Sequence, residues 1–432
     1  MKVLDVILVG AGSRGRIYTD HMTGDNFRVV AVAEPIKQQR DYIQKLHKIP
    51  DEMCFDSWDQ MLEKEKFADV CIIATSDSLH YKPAMKAIEK GYNLLLEKPI
   101  APTYRECRDI ASAAKKQGVK ILVCHVLRYT PFFRKIKDLI NENKLGKVIS
   151  VHHSECVGNV HQSHSYVRGN WGNEEKSSCM LLAKSCHDID ILQWLIDSKC
   201  KSVSSFGSLS YFKKENAPDG APDYCIDGCP YGEECYYNAI KLYLEDEEND
   251  WFRNAAAKKV NPTNAEIEEV LRTTQYGKCV FKCDNDVVDH QVVNLEYENG
   301  AVASFNMSAF NKGGRYIRVM GTDGELYGDM EENTIDYYSF KTREHTIINP
   351  LESKLSGDIT GGHGGGDAGI VSTLYKYIVE DYSGDMLSEI GVSAENHATT
   401  FAAEKARVEH RVISLSEFEN ECDCTAGNNA KK

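Results

Sequence analysis

"VLDVILVGAGSRGRIYTDHM", residues 3–22, reads as a buried strand, a glycine turn and a helix in direct succession. Gly10, Gly12 and Gly15 have the G-x-G-x-x-G spacing. The first glycine permits the tight turn, the second lets the backbone approach a pyrophosphate, and the third allows close packing of helix on strand. From Ser13 and Arg14 onward, the start of the helix offers free N–H groups to the phosphates. A second apolar run, "FRVVAVAEP", ends in Glu34, 24 residues after Gly10. A carboxylate there accepts the ribose hydroxyls of adenosine and repels a 2′-phosphate, which favours NAD over NADP. Lys37 and Arg40 lie close by and keep NADP open.

Outward from this unit the alternation continues. "DVCIIAT", "YNLLLEKPI" and "VKILVCHVL" are apolar strands; "HYKPAMKAIEKG" and "YRECRDIASAAKKQG" are helices closed by Gly91 and Gly118. Strands alternating with helices through short connections predict a doubly wound parallel sheet, a Rossmann domain over residues 1–128. Ligands of such a sheet lie at the carboxyl ends of its strands. Those ends carry Thr75, Ser76, Asp77, His80, Glu97 and Lys98, expected at the cofactor, and His125 and Arg128, expected at the substrate.

A chain of 432 residues exceeds one ordinary core, so a second domain is expected over 129–420. An insertion spans about 211–277, with its acidic "EDEEND", and a flexible tail covers 421–432. A net charge of -14 argues against nucleic acid as a partner. No apolar run is long enough for a bilayer, and the amino terminus reads as a first strand rather than a signal peptide, so no membrane partner and a cytoplasmic location are expected. The fifteen scattered Cys fit a reducing compartment.

"VGAGSRG", "ATSDSLHYKPAMKAIEKGYNLLLEKPIA" and "CHVLRYTPFF" resemble the glucose-fructose oxidoreductase, inositol dehydrogenase and MocA (Gfo/Idh/MocA) family. Its most specific mark is Glu-Lys-Pro after the fifth strand, here Glu97, Lys98 and Pro99. The resemblance is strong over about residues 1–135 and thinner beyond, where "GTDGELYG" still fits. It implies a C-terminal α/β domain with a large open, mostly antiparallel sheet that often forms a homo-oligomer interface. It also implies a secondary alcohol on a sugar or cyclitol as the reacting group, and a bend at Pro99, often a cis bond, that aims Lys98 at it.

Oxidising a secondary alcohol with NAD needs a base for the hydroxyl proton. Lys98 suits this role, because desolvation beside a cationic ring lowers the pKa of an ammonium. The second catalytic candidate lies in "LLAKSCHDIDILQWL", residues 181–195. On helical spacing Leu181, Leu182, Cys186, Ile189 and Leu192 form an apolar stripe, with Lys184, His187 and Asp188 beside it and Asp190 turned further away. Inositol dehydrogenases carry an Asp four residues before a His here. His187 falls on that His, but the Asp position is Ala183, so Lys184 is expected to take a binding or acid/base role instead.

Sugar sites combine aromatic faces with polar donors, which marks His164, Tyr166, Arg168, Asn170 and Trp171 as a substrate loop. "TGGHGGGDAGIVSTLYKYI" resembles a stretch in the family's NAD-dependent N-acetylgalactosaminidases and places His363 near the sugar or nicotinamide. Cys225, Cys229 and Cys235 lie within eleven residues, a donor set for zinc or an iron–sulfur centre with Cys186 or Cys179 as a fourth ligand. The C-x3-C-x5-C spacing matches no standard ribbon or ferredoxin run, so free thiols are preferred and no metal is assigned. The expected activity is NAD-dependent oxidation of a ring hydroxyl of a sugar or glycoside, at carbon 3. A redox glycosidase that oxidises, eliminates, hydrates and reduces is the first alternative, and a non-catalytic NAD- or sugar-sensing protein the second.

Overall fold

The computed structural model of the protein describes residues 2–247, 249–351 and 363–429. Six strands, β1 (Leu4–Val9), β2 (Phe27–Ala33), β3 (Cys54–Phe55), β4 (Val70–Ile73), β5 (Asn93–Leu96) and β6 (Ile121–Val123), form a parallel sheet in the order β3-β2-β1-β4-β5-β6. This is the doubly wound order, with its switch point between β1 and β4. The central strands are apolar on both faces because helices cover both: all four residues of β4 are buried. Thr103 caps helix Tyr104–Gln117 by accepting from the Glu106 N–H, and Gly118 ends it with a φ of +69°.

The second sheet has nine strands: β7 (Val148–Cys156), β8 (Cys200–Ser208), β9 (His290–Tyr297), β10 (Val302–Ser308), β11 (Gly314–Gly321), β12 (Gly324–Asp329), β13 (Thr334–Ser339), β14 (Glu344–Ile348) and β15 (Ile413–Ser414). Their order is β14-β13-β12-β11-β7-β10-β9-β8-β15, antiparallel except for β7 beside β10. Helices Cys186–Ile196 and Ile390–Glu409 cover one face. The other face exposes Ile149, Phe206, Val302 and Tyr327. After β14 the chain returns to the first sheet. Ile370, Val371, Leu374 and Tyr375 of helix Gly366–Val379 share a core with Leu4, Val6 and Leu8. Among the described residues no helix is long and apolar enough to cross a membrane.

Two expectations are corrected here. Helix Cys186–Ile196 is not amphipathic: every residue is buried, Asp188 and Asp190 included. Asp190 receives both Arg128 Nε (2.6 Å) and Nη2 (2.7 Å), so its charge is neutralised inside the protein instead of facing water. The tail is not wholly flexible, since helix Leu415–Asn429 runs through 421–429. Leu415 and Phe418 are buried and Cys422 packs on the same core, a spacing of three and seven that seats one helical face.

Candidate active site

The glycine turn is shaped by contact on two sides and open on the third. Gly10 has a φ of +90°, and a Cβ there would lie 2.6 Å from the Ala74 carbonyl oxygen; a Cβ on Gly15 would lie 2.1 Å from that of Gly10. A Cβ on Gly12 meets nothing within 4 Å, so this face is free to take a pyrophosphate against the start of helix Ser13–Asp20. Glu34, at the end of β2, is buried and accepts from the N–H groups of Ala11 (2.8 Å) and Ile36 (2.9 Å). Each oxygen keeps a lone pair for a ribose hydroxyl. The two nearby cations are occupied: Arg40 pairs with Asp56 at 2.7 Å and donates to the Glu34 carbonyl, and Lys37 pairs with Asp41. This donor set fits NAD, held by Gly12, the helix start and Glu34. Ser76 at the edge of β4 is exposed and Thr75 half-buried.

Glu97, His80 and Asp77, expected at the cofactor, make bonds within the framework. Glu97 accepts from Arg14 Nε (2.6 Å), the Tyr18 hydroxyl (2.6 Å) and the Lys98 N–H (2.8 Å). Burial pushes its carboxyl up, but Arg14 and Lys98 more than offset this and hold it below its ordinary value. Arg14 also pairs with Asp367, joining the glycine turn to the returning helix. The His80 ring lies between the carbonyls of Pro99 (2.7 Å) and Thr75 (3.1 Å), and is wholly buried. Asp77 receives Trp171 Nε1 (3.2 Å), Ser177 (3.2 Å) and Ser178 (3.3 Å), so it ties the second domain down over the first.

The Lys98–Pro99 peptide is cis, and Lys98 Nζ crosses the domain junction to donate to the Ala183 carbonyl at 2.6 Å. Ala183 ends the short helix Met180–Ala183, four residues before His187 in the next helix. His187 is buried and meets His125 edge-to-face at 5.7 Å; His125 meets His397 at 5.5 Å. His397 receives the Ile100 N–H on Nε2 (3.0 Å) and donates from Nδ1 to the Ser393 carbonyl (2.8 Å), a neutral tautomer that supports the turn after Pro99.

A cavity of about 370 Å³ opens between the end of β7 and the start of β11. Glu155, His161, Lys184, Lys312, Arg315 and Glu331 line it. Lys184 Nζ lies 3.2 Å from Glu155, which also pairs with Arg315. Arg315 reaches Asp188 at 3.0 Å, and Asp188 meets His153 at 2.8 Å. Burial pushes the Lys184 ammonium below its ordinary value; Glu155 opposes this, while Arg315 and Lys98 add to it. Glu155, His161 and Arg315 were missed in the sequence. For Glu155 the signal was parity: Val151, His153 and Glu155 share the inward face of β7, where ionisable groups need a reason to be.

Four expected substrate ligands are buried. His125 is fully buried behind His187. Arg128 is consumed by Asp190. His164 and Arg168 belong to a π-helical segment, Gln162–Arg168, that is buried throughout because the insertion packs over it. His164 stacks on Phe252 at 4.1 Å and bonds the Tyr243 hydroxyl at 2.8 Å; Arg168 donates to the carbonyls of Lys278 (3.0 Å) and Tyr237 (2.8 Å). Tyr166 is also buried, against Trp171 at 6.1 Å, and Asn170 is exposed. His363 begins the short turn His363–Gly365, and its side chain lies outside the described residues.

The fold agrees with the comparisons. The oxidoreductase-family profile for the NAD-binding Rossmann fold matches residues 4–125, and that for the C-terminal alpha/beta domain matches residues 137–364. The chain belongs to the Gfo/Idh/MocA family. Like other members it is an NAD-binding oxidoreductase. The Bacillus subtilis oxidoreductase YteT is 25% identical over 340 residues, 74% of each chain. The 2,7-anhydro-N-acetylneuraminate hydratase of Mediterraneibacter gnavus is 29% identical over 214 residues, 48% of this chain and 53% of its own. Levoglucosan dehydrogenase in complex with NADH shares the fold at a TM-score of 0.70 and 16% identity, covering 96% of this chain and 99% of that one.

The buried histidines give this Gfo/Idh/MocA protein a pH signature. Burial pushes His164 and His397 down to about 3, and lowers His125 as well. The unfolded chain protonates them near pH 6.5, so between 6.5 and 3 it binds protons that the fold does not, and stability falls as pH falls. By pH 5 the loss is about 2 kcal/mol for each of His164 and His397. Thermal melts at pH 7 and 5 should show a lower Tm at pH 5, and His397→Gln should reduce the difference; an equal Tm at both pH values would contradict the assignment.

Proposed function

We propose that this oxidoreductase oxidises a secondary ring hydroxyl of a sugar or glycoside, carbon 3 of a pyranoside. The observation that carries the reading is Lys98 Nζ reaching across the domain junction to the carbonyl of Ala183, the residue before the cavity-lining Lys184. Lys98 hydrogen-bonds the reacting hydroxyl and, as the amine, takes its proton as the C–H bond breaks. His187 holds the same hydroxyl from the other side. When bound, NAD supplies the hydride acceptor. The polar cavity, with acceptors at Glu155 and Glu331 and donors at Lys184, Lys312 and Arg315, suits the remaining hydroxyls of a sugar. The outer sheet face, with Phe206 and Tyr327 exposed, is the proposed homo-oligomer contact.

The Lys184–Glu155 pair favours a second reading, a redox glycosidase. A ketone at carbon 3 acidifies the proton on carbon 2, and Lys184, lowered by burial, is the base proposed to remove it. The C2–H electrons then form the C1–C2 double bond, the C1–O bond breaks, and the aglycone leaves with its electron pair. The hydratase relative lends support. Incubating the protein with a panel of O- and C-glycosides and free sugars, with and without NAD, separates the readings by mass spectrometry. A product two hydrogens lighter with its glycosidic bond intact supports the dehydrogenase. Sugar released without net oxidation supports the glycosidase. An unchanged panel refutes both and leaves an NAD- or sugar-sensing protein.

A further inference from the structure

The insertion has little core of its own. Two small apolar clusters serve it, and between residues 218 and 238 it has only turns and the short segment Cys225–Asp227. Small, irregular units of this kind need a staple to hold one conformation. An isolated antiparallel bridge between Tyr224 and Lys278 sets Cys225 and Cys279 one residue to either side of it. Turns at Gly232 N–H to the Cys229 carbonyl (3.0 Å) and Cys235 N–H to the Tyr231 carbonyl (2.9 Å) fold the intervening loop back. Cys225, Cys229, Cys235 and Cys279 thus line one cavity of about 50 Å³, and all four are free thiols. The fourth member is Cys279, not Cys179 or Cys186, which belong to the core under the large sheet. Among the described residues no three Cys, His, Asp or Glu are already set to hold a metal ion. The thiols surround the cavity rather than converge on a point.

A second, independent observation is Arg168, which lines the same cavity and is 2% exposed. Its Nε and Nη2 donate to the carbonyls of Lys278 (3.0 Å) and Tyr237 (2.8 Å), Cys225 Sγ lies 3.9 Å from Nη2, and no carboxylate is paired with it among the described residues. Neutral thiols do not balance a buried guanidinium, and a buried charge without a counter-charge is unfavourable. Four thiolates around zinc, or around an oxidised four-iron cluster, carry two negative charges net and supply the missing balance.

We propose that Cys225, Cys229, Cys235 and Cys279 bind a soft metal centre through four thiolates, as zinc or an iron–sulfur cluster, with Arg168 as its buried counter-charge. The centre staples the insertion and, through Arg168, fixes the segment Gln162–Arg168 that carries Tyr166. Metal binding draws the thiols inward and releases their protons to solvent; no oxidant or reductant takes part in the zinc case, and a cluster arrives preassembled with its iron and sulfide.

The full chain, purified anaerobically without chelator, is digested for zinc, iron and acid-labile sulfide. A Cys229→Ser/Cys235→Ser double variant is run beside it, with NAD binding as the check that it folds. About one zinc per chain and no visible colour, or about four irons with matching sulfide and a brown chromophore, is the expected result. In either case the metal should fall at least tenfold in the double variant, and Tm should fall with it. Three results overturn the proposal. The first is a chain with less than about a tenth of a metal per molecule and four readily alkylated thiols. The second is disulfides joining these cysteines. The third is a metal content that the double variant retains.

Discussion

Replacing Lys98 by Met lowers turnover by about 10²–10⁴-fold while NAD binding stays within a few-fold of the parent. Lys98 follows β5 on the turn that Glu97, His80 and His397 hold from three sides. All three bonds are to backbone atoms of the turn, so the Met variant keeps them, although Glu97 loses one of the cations that hold its carboxyl low. What it loses is the one contact that crosses to Ala183, and with it the group that takes the hydroxyl proton. Lys98→Arg separates charge from proton transfer. A guanidinium keeps the charge but does not deprotonate, so Arg should be nearly as inactive as Met. Steady-state kinetics on whichever glycoside or sugar the panel identifies, alongside titration of NAD by fluorescence, would check both. Parental turnover in the Met variant would remove Lys98 from the mechanism and favour the sensing protein.

The second large effect belongs to Lys184 and Glu155. With a 3-keto sugar supplied, Lys184→Met should slow exchange of the carbon-2 proton with D₂O by about 10²–10⁴-fold, and leave reduction of the ketone within about tenfold. Glu155→Gln tests the tuning of that base. Burial lowers Lys184 and Glu155 opposes it, so loss of the carboxylate charge lowers it further. The lysine then deprotonates at lower pH, and the rising limb of the exchange profile moves to the acid side by roughly one pH unit. Arg315 retains Asp188 at 3.0 Å, so the variant is not left with an unpaired guanidinium. Exchange rates followed by NMR across pH distinguish this from a packing defect, which would change amplitude without moving the limb. Unchanged exchange in Lys184→Met would leave the plain dehydrogenase as the better reading.

The parallel sheet, the glycine turn with Glu34, and Lys98 at the end of its strand were legible from the residues. These features rest on short-range rules: apolar runs of strand length, glycine where φ is positive, and a carboxylate at the end of the second strand. The substrate side was less legible. Arg128, His164 and Arg168 are of the residue types that bind sugars, yet each is spent inside the protein on a partner 62 or more residues away. Ala183 marked a missing carboxylate, but nothing local showed that β7 supplies Glu155 beside Lys184. A buried charge is identified by its partner, and partners such as Arg315 for Glu155 or Asn396 for Asp190 come from strands and helices over a hundred residues distant. Thus the sequence by itself determined the cofactor domain, whose contacts repeat along the chain with the periods of strand and helix. Only the tertiary structure decided which polar side chains face the cavity, because desolvation and pairing depend on what the distant chain brings against each of them.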